Sequence, residues 1–233
     1  MDDNIDKSNR RLIVLSAILV IVGSMFSGPF GYLIVNLVNP ISWTDVRSFA
    51  AQYHPIQTLP YWFGFLYLAG FILFIAASRQ LLTEKDRIFG DAALVTTSIF
   101  AALIGFNYIL QVGFIPNALG NPNDVFAAFA MNNPKSISWS IEMFGWAFLG
   151  ASTWLISPAF KNGRLQRFAR VLLITNGVGS ILNAILASAL PSFVLQVPGL
   201  IAYFIWNAMI WIIMVLIIID IHKAQNRLLS LII

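Results

Sequence analysis

Cysteine is absent from this sequence, and histidine occurs only twice. Without cysteine, disulfide bonds, thiolate nucleophiles and zinc or iron–sulfur sites built on cysteine are excluded. His54 and His222 are too far apart in the sequence to predict a multi-histidine metal site. Glycine-rich phosphate loops and paired catalytic acids are missing as well. The sequence therefore predicts no cofactor and contains no enzymatic motif.

Charge is also scarce. Charged residues make up 10% of the chain, against about 25% in a typical soluble domain. Hydrophobic residues make up 58%, and the mean hydropathy is +0.79. So few charges cannot cover a globular surface, so the apolar residues are expected to face lipid as well as each other. The composition predicts an integral membrane protein whose main partner is the lipid bilayer.

Six apolar runs are long enough to cross a hydrocarbon core, which takes about 20 helical residues. They are longer and more uniformly apolar than the strands of a membrane barrel, so helices are expected. The prediction is an all-α, polytopic membrane protein with a single six-helix domain over residues 1–233. The predicted spans are 12–38, 58–78, 91–115, 137–157, 168–190 and 198–221.

The first run begins like a secretory signal peptide, with KSNRR followed by LIVLSAILVIV. Its apolar stretch outlasts the core of about 7–15 residues that signal peptides have, and no clear cleavage site follows. An uncleaved first span is therefore favoured over a signal peptide. Because Pro29 has no backbone N–H group, the pair Gly28–Pro29 predicts a kink within this span.

Basic residues are distributed unevenly among the loops. Of the 14 Lys and Arg residues, only Arg47 and Lys135 lie in the first and third connections between spans; the other twelve flank the opposite span ends. Because cytoplasmic loops carry the excess of Lys and Arg, the pattern predicts a cytoplasmic (inner) membrane protein with both termini in the cytoplasm. A role in nucleic-acid binding is not indicated, because the basic residues are membrane flanks. The group at 161–170 is interpreted as a basic collar, with binding of anionic lipid or a cytoplasmic partner as the alternative.

The two long loops on the outer side, 39–55 and 121–134, resemble each other. In each, an Asp-Val pair, at Asp45 and at Asp124, leads into a segment rich in alanine and phenylalanine. Ser42 with Asp45 resembles a capping box, which marks a helix start. We therefore expect a short surface helix in each of these loops.

Glu142 is the charged residue that lies furthest inside a predicted span; Asp220, at the exit of span six, is interpreted as an end residue. A charged carboxylate that faces lipid costs several kcal/mol. Glu142 is therefore expected to face the interior of the bundle or an aqueous cavity. Trp139 and Trp146, three residues before it and four after it, share its face of the helix.

Polar and aromatic residues of other spans are expected at a similar depth. They are Asn107 and Gln111 in span three, Asn183 in span five and Trp62 in span two. Together with Glu142 they predict a pocket open to the outer side, with the carboxylate as anchor and the tryptophans as walls. Indoles beside a carboxylate suit an organic cation. The predicted function is the binding or translocation of a small amphiphilic or cationic molecule.

Other interpretations of Glu142 stay open. A protonated Glu142 could bond to Asn107 or Gln111 and only join spans three and four. The protein would then be structural or regulatory, without small-molecule activity. Glu142 could also relay protons, or serve as a general acid–base in an intramembrane lipid-modifying enzyme. The sequence indicates no particular substrate and no partner protein.

Overall fold

A computed structural model describes residues 7–190 and 196–230, with side chains up to residue 223. These residues form helices and no strands. A π-helical turn, Leu110–Phe114, joins the fifth and sixth helices. The helices are α1 Lys7–Ser27, α2 Pro29–Val38, α3 Val46–Gln52, α4 Leu59–Arg79, α5 Arg87–Ile109, α6 Ile115–Asn117, α7 Asp124–Phe129, α8 Ile137–Ile156, α9 Arg164–Ala189 and α10 Val197–Ser230.

Several of the helical segments suit a membrane. Within the residues that the structure describes, five segments are long and apolar enough to cross one. Helix α8 is not among the five: it has 20 residues, but Glu142 and its serine, glycine and tryptophan residues make it less hydrophobic. The chain is therefore an all-helical, multi-pass membrane protein. The five segments are Lys7–Val38, Pro55–Arg79, Glu84–Asn117, Arg164–Ala189 and Val197–Lys223.

The long helices form a closed ring in which sequence neighbours are also spatial neighbours. The ring runs from α1 to α4, α5, α8, α9 and α10, and α10 packs back against α1. Neighbouring helices are antiparallel: Asn9 Nδ2 donates to the carbonyl oxygen of Ala77 (3.2 Å), and Gln166 Nε2 donates to Asp220 Oδ2 (2.6 Å). The basic segments therefore gather at one end of the ring, the basic end. The two long loops lie at the other, the loop end.

The predicted interruption of the first span is present at Gly28, between α1 and α2. Pro29 is the first residue of α2, a position where its missing N–H group costs no helical hydrogen bond. Gly28 also lies against α10, because a Cβ atom there would come within 2.7 Å of Asn207 Oδ1.

Glycine lets two pairs of helices approach closely. Between α1 and α4, a Cβ atom on Gly23 would lie 2.6 Å from the backbone nitrogen of Tyr67. Between α8 and α9, a Cβ atom on Gly177 would lie 2.6 Å from the carbonyl oxygen of Gly150. Helices in lipid associate through close packing and hydrogen bonds rather than through the hydrophobic effect. These glycines are therefore needed for the ring to close.

Aromatic side chains fill the interior of the ring. The ring of Trp146 lies 5.6 Å from that of Tyr67 and 5.1 Å from that of Trp206, measured between centroids. Tilted and edge-on contacts at such distances are the arrangements that aromatic rings prefer. The most deeply buried aromatic residues of the ring are Tyr67, Phe71, Phe74, Phe100 and Phe160.

A second, smaller core joins the two long loops. Asp45 caps α3 and accepts a hydrogen bond from the hydroxyl of Ser48 (2.6 Å), which holds the pKa of Asp45 below its usual value. Asn123 caps α7 in the same way through its side-chain oxygen. Phe49 of α3 and Phe126 of α7 are buried together, with centroids 6.1 Å apart. We call this core the loop cap; its buried residues are Phe49, Ile115, Phe126 and Ala130.

Two glycines of α9 provide a test of the close α8–α9 contact. We expect Gly177→Ala to lower the free energy of unfolding, because the new methyl group meets the backbone of Gly150, and such overpacking costs about 1–3 kcal/mol. Gly179→Ala is the control, since no heavy atom lies within 4 Å of its Cβ position. It should stabilise the helix by up to about 1 kcal/mol. Equal melting temperatures for the two variants would contradict the contact.

Candidate functional site

Glu142 lies in α8 near the loop end, with only 7% of its surface exposed. Ser136 caps the start of helix α8: its hydroxyl oxygen accepts a hydrogen bond from the backbone N–H of Trp139 (2.9 Å). Glu142 follows less than two turns later, on the face that packs against α5. The carboxylate is thus inside the ring rather than on its outer surface.

The carboxylate accepts three hydrogen bonds from neutral donors. Asn107 Nδ2 donates to Oε2 at 2.7 Å. The hydroxyl of Tyr108 and the indole Nε1 of Trp146 donate to Oε1, at 3.2 Å and 3.0 Å. Neither of the ion pairs found in the described part of the chain involves Glu142. Its hydrogen bonds are therefore satisfied without any basic side chain.

A chain of amides leads to Glu142 from the loop end. The backbone N–H of Met131 donates to Gln111 Oε1 (3.0 Å), and Gln111 Nε2 donates to Asn107 Oδ1 (3.3 Å). Because Asn107 Oδ1 is an acceptor, its Nδ2 must face Glu142. Hydrogen bonds that run in one direction polarise one another, so the three bonds strengthen the donor that meets the carboxylate.

Gln111 also connects the site to the loop before α8. It lies in the π-helical turn that ends α5, and turns of this kind are frequent at functional sites. Gln111 Nε2 donates to the carbonyl oxygen of Phe129 (2.8 Å), and Ser138 Oγ donates to the same oxygen (2.8 Å). Residues 129–131, at the edge of the loop cap, are therefore held against the network by hydrogen bonds.

The carboxylate lies at the edge of the aromatic core. Trp146 packs against Phe100 as well as Trp206 (5.2 Å and 5.1 Å). The ring of Tyr108 lies 5.4 Å from that of Tyr61. Two of the three groups that bond to Glu142 are thus members of larger aromatic clusters. The surroundings combine one acidic group with several π faces.

The structure brings four of the sequence-predicted site residues together: Glu142, Asn107, Gln111 and Trp146. Trp139 is close in sequence to this group but is not bonded to it. It is half-buried on α8, and its indole Nε1 has no hydrogen-bond partner among the described residues. Its predicted role as a pocket wall therefore stays a prediction.

The structure does not bring Asn183 and Trp62 into the network. Asn183 is half-buried on α9, and its amide forms no hydrogen bond in the part of the chain described. Trp62, on α4, is 59% exposed. No contact between either side chain and Glu142 occurs within the described ranges.

Sequence reasoning missed two members of the network. Tyr108 precedes Gln111 by three residues and Ser138 precedes Glu142 by four, so each shares a helix face with a predicted residue. This spacing was a usable signal in both cases. The backbone groups of residues 129 and 131 left no signal, because any residue type supplies them.

The site offers little to a metal ion. Within the described residues, no three His, Cys, Asp or Glu side chains lie together in a way that could hold one. Two cavities of the protein lie away from Glu142. One, of about 10 Å³, lies at the basic end beside Asp220. The other is an open groove of about 180 Å³ on the outer face of α8, beside Phe144.

Fold and site together define a class: an all-helical, multi-pass membrane protein with a buried network of one carboxylate, two amides and aromatic donors. Comparison of the chain with protein-family models, with curated proteins and with solved structures finds no match to any of them. The functional argument therefore depends on the geometry of the site.

Asn107 provides a test of the network. We expect Asn107→Leu to lower the free energy of unfolding, because it leaves Glu142 Oε2 without its donor. Each buried polar group left unpaired costs about 1–3 kcal/mol, and a charged one more. Asn183→Leu removes an amide of the same size that forms no such bond and should leave the melting temperature nearly unchanged. If the two variants have the same melting temperature, the Asn107–Glu142 bond contributes no stability.

Proposed function

We propose that the protein binds or translocates a small amphiphilic molecule that carries a positive charge, with Glu142 as the anchor. One observation carries this proposal: a carboxylate inside the ring is held by three neutral donors and by no basic side chain of the described residues. The binding residues are Glu142, Asn107, Gln111 and Trp146, joined by Tyr108.

The charge that Glu142 carries in its ionised form is the first support. A buried charge is costly unless a group of opposite charge accompanies it. Hydrogen bonds from Asn107, Tyr108 and Trp146 stabilise the carboxylate but leave its net charge in place. A cationic ligand supplies the missing charge, which gives the site a reason to prefer amines over neutral molecules of the same shape.

The aromatic rings are the second support. A cation that is held against the face of Trp or Tyr gains about 0.5–2 kcal/mol. Trp146 and Tyr108 both donate to Glu142 and belong to aromatic clusters. A ligand at the carboxylate therefore meets π faces with its charged group and an apolar core with its hydrocarbon part, which favours an amphiphilic amine.

The route of entry runs from the loop end. Residues 129–131 cover the amide chain and are held on the α5 side by Gln111 and by a longer contact from Asn107 Nδ2 to the sulfur of Met131 (3.6 Å). When this segment separates from Gln111, Asn107 and then Glu142 become accessible. The structure described above is the closed state, in which the protein's own donors occupy the carboxylate.

A structural role is the second candidate, and one observation favours it. Both oxygens of Glu142 already have donors within 3.2 Å, which is the arrangement expected of a polar contact that only ties α5 to α8. In that case the protein has no small-molecule ligand at this site.

Glu142→Gln separates the two candidates. The melting temperature of the purified protein is measured with a panel of amphiphilic amines and with neutral analogues of the same shape. For a binding site we expect the amines to raise the melting temperature of the wild type, and Glu142→Gln to lose most of that rise. Asp124→Asn, an exposed acid at the loop end, is the control and should keep it.

The structural candidate gives a different pattern in the same measurement. Glu142→Gln then lowers the melting temperature with or without amines, and no amine stabilises the wild type. That result would contradict the binding proposal.

We also propose that α8 is the sixth span, that the loop end faces outward and that both ends of the chain lie in the cytoplasm. The support for the sixth span is its place in the ring between α5 and α9, together with a length of about 30 Å at 1.5 Å per residue. The support for the orientation is the excess of Lys and Arg at the basic end. The short helices α3 and α7 then lie on the outer surface of an inner-membrane protein.

Single cysteines test this orientation, since the chain has none of its own. In intact cells we expect Asn121→Cys to react with a membrane-impermeant thiol reagent and Asn162→Cys to react only after the membrane is opened. Both residues are exposed, so access is set by the membrane alone. Labelling of both from the same side would contradict the six-span arrangement.

A further inference from the structure

Arg10 is a buried charge without a partner among the described residues. It lies in the first turn of α1, and only 4% of its surface is exposed. Its Nε atom has no hydrogen-bond partner, and the guanidinium forms no ion pair among the residues that the structure describes. Buried charges in proteins are paired or bound to ions. The position of Arg10 therefore calls for an anion that the described residues do not supply.

Ser78 provides a second polar group without a partner at the same depth. It is fully buried on α4, and its Oγ has no hydrogen-bond partner among the described residues. The bond from Asn9 Nδ2 to the carbonyl oxygen of Ala77 joins the residues next to Arg10 and Ser78 across the α1–α4 contact. Both side chains belong to the buried faces of their helices. A cation and a hydroxyl donor thus lie on the interior side of one helix pair.

The acids of the basic end that the structure describes are engaged elsewhere or exposed. Asp91 pairs with Arg79, and Asp86 with Lys161 (2.9 Å). Asp220 accepts from Gln166, and Glu84 is exposed. In the sequence, twelve basic residues and seven acidic ones flank the spans at this end, a surplus of five positive charges. The local field therefore favours an anion.

We propose that Arg10 and Ser78 form an anion site that takes a phosphate group. A guanidinium offers planar paired donors that match phosphate oxygens, and a serine hydroxyl adds a further donor. Arg10 lies only about 5 Å from the start of α1 at 1.5 Å per residue, the level at which basic side chains meet lipid headgroups. The phosphate comes either from an anionic phospholipid or from a soluble phosphate. The site is independent of the one at Glu142.

The test uses the full-length protein after removal of bound lipid. The melting temperature is measured with phosphatidylglycerol, with inorganic phosphate and with sodium chloride at the same ionic strength. We expect a rise of about 5–10 °C at roughly 100 times the Kd, produced by phosphatidylglycerol alone if the source is a lipid and by both probes if soluble phosphate binds. If neither probe raises the melting temperature of the wild type more than sodium chloride does, the proposal is overturned.

Variants distinguish this site from a general attraction to basic residues. Arg10→Met keeps the apolar stem and should lose the rise, whereas Arg11→Met, which removes an exposed charge next to it, should keep it. Without added anion, Arg10→Met should melt higher than the wild type, because an unpaired buried charge has been removed. Equal loss in Arg10→Met and Arg11→Met overturns the proposal. If Arg10→Met does not fold, Arg10→Lys and Ser78→Ala are used in its place. The proposal is then overturned if the anion raises the melting temperature of both variants as much as that of the wild type.

Discussion

A polar group inside a membrane has to find its partner within the protein, because lipid offers none, and the architecture around α8 follows from this constraint. Glu142 is balanced by donors from α5 and from its own helix. The amide oxygen of Asn107 in turn accepts from Gln111, whose own amide bonds to the backbone of residues 129 and 131. One carboxylate thereby organises the contact of two helices and the position of a loop.

The same network explains how the loop end is coupled to the interior of the ring. The loop cap has a core of its own around Phe49 and Phe126. Its edge is attached to the helices by side-chain bonds from Gln111, in the π-helical turn, and from Ser138 of α8 to the backbone. The cap is thus a separate packed unit joined to the ring by a small set of polar bonds. This arrangement is what makes a binding site at Glu142 physically reasonable.

The sequence predicted how deep each residue lies along its helix better than it predicted which way the side chain points around the helix axis. Apolar runs located the long helices, Gly28–Pro29 located the interruption, and Glu142, Asn107 and Gln111 were placed at matching depth. Direction was harder, because a helix that is apolar on every side carries no pattern to show which face is inside. Trp62, exposed on α4, illustrates the point. Arg10 is the converse case, because its position among the charges that flank the spans did not indicate that its side chain is buried.

The closed ring has a consequence for biogenesis. The indole Nε1 of Trp211 donates to Ser24 Oγ at 2.8 Å, a bond between residues 187 positions apart. Helix α1 emerges from the ribosome first and α10 last, so the inward face of α1 has no final neighbour until translation of α10 is complete. During that interval the hydroxyl of Ser24 can donate to the carbonyl oxygen of Ile21 in its own helix (3.0 Å), so it is not left unpaired in lipid. The contact that closes the ring between α1 and α10 therefore forms only after the helices between them have been made.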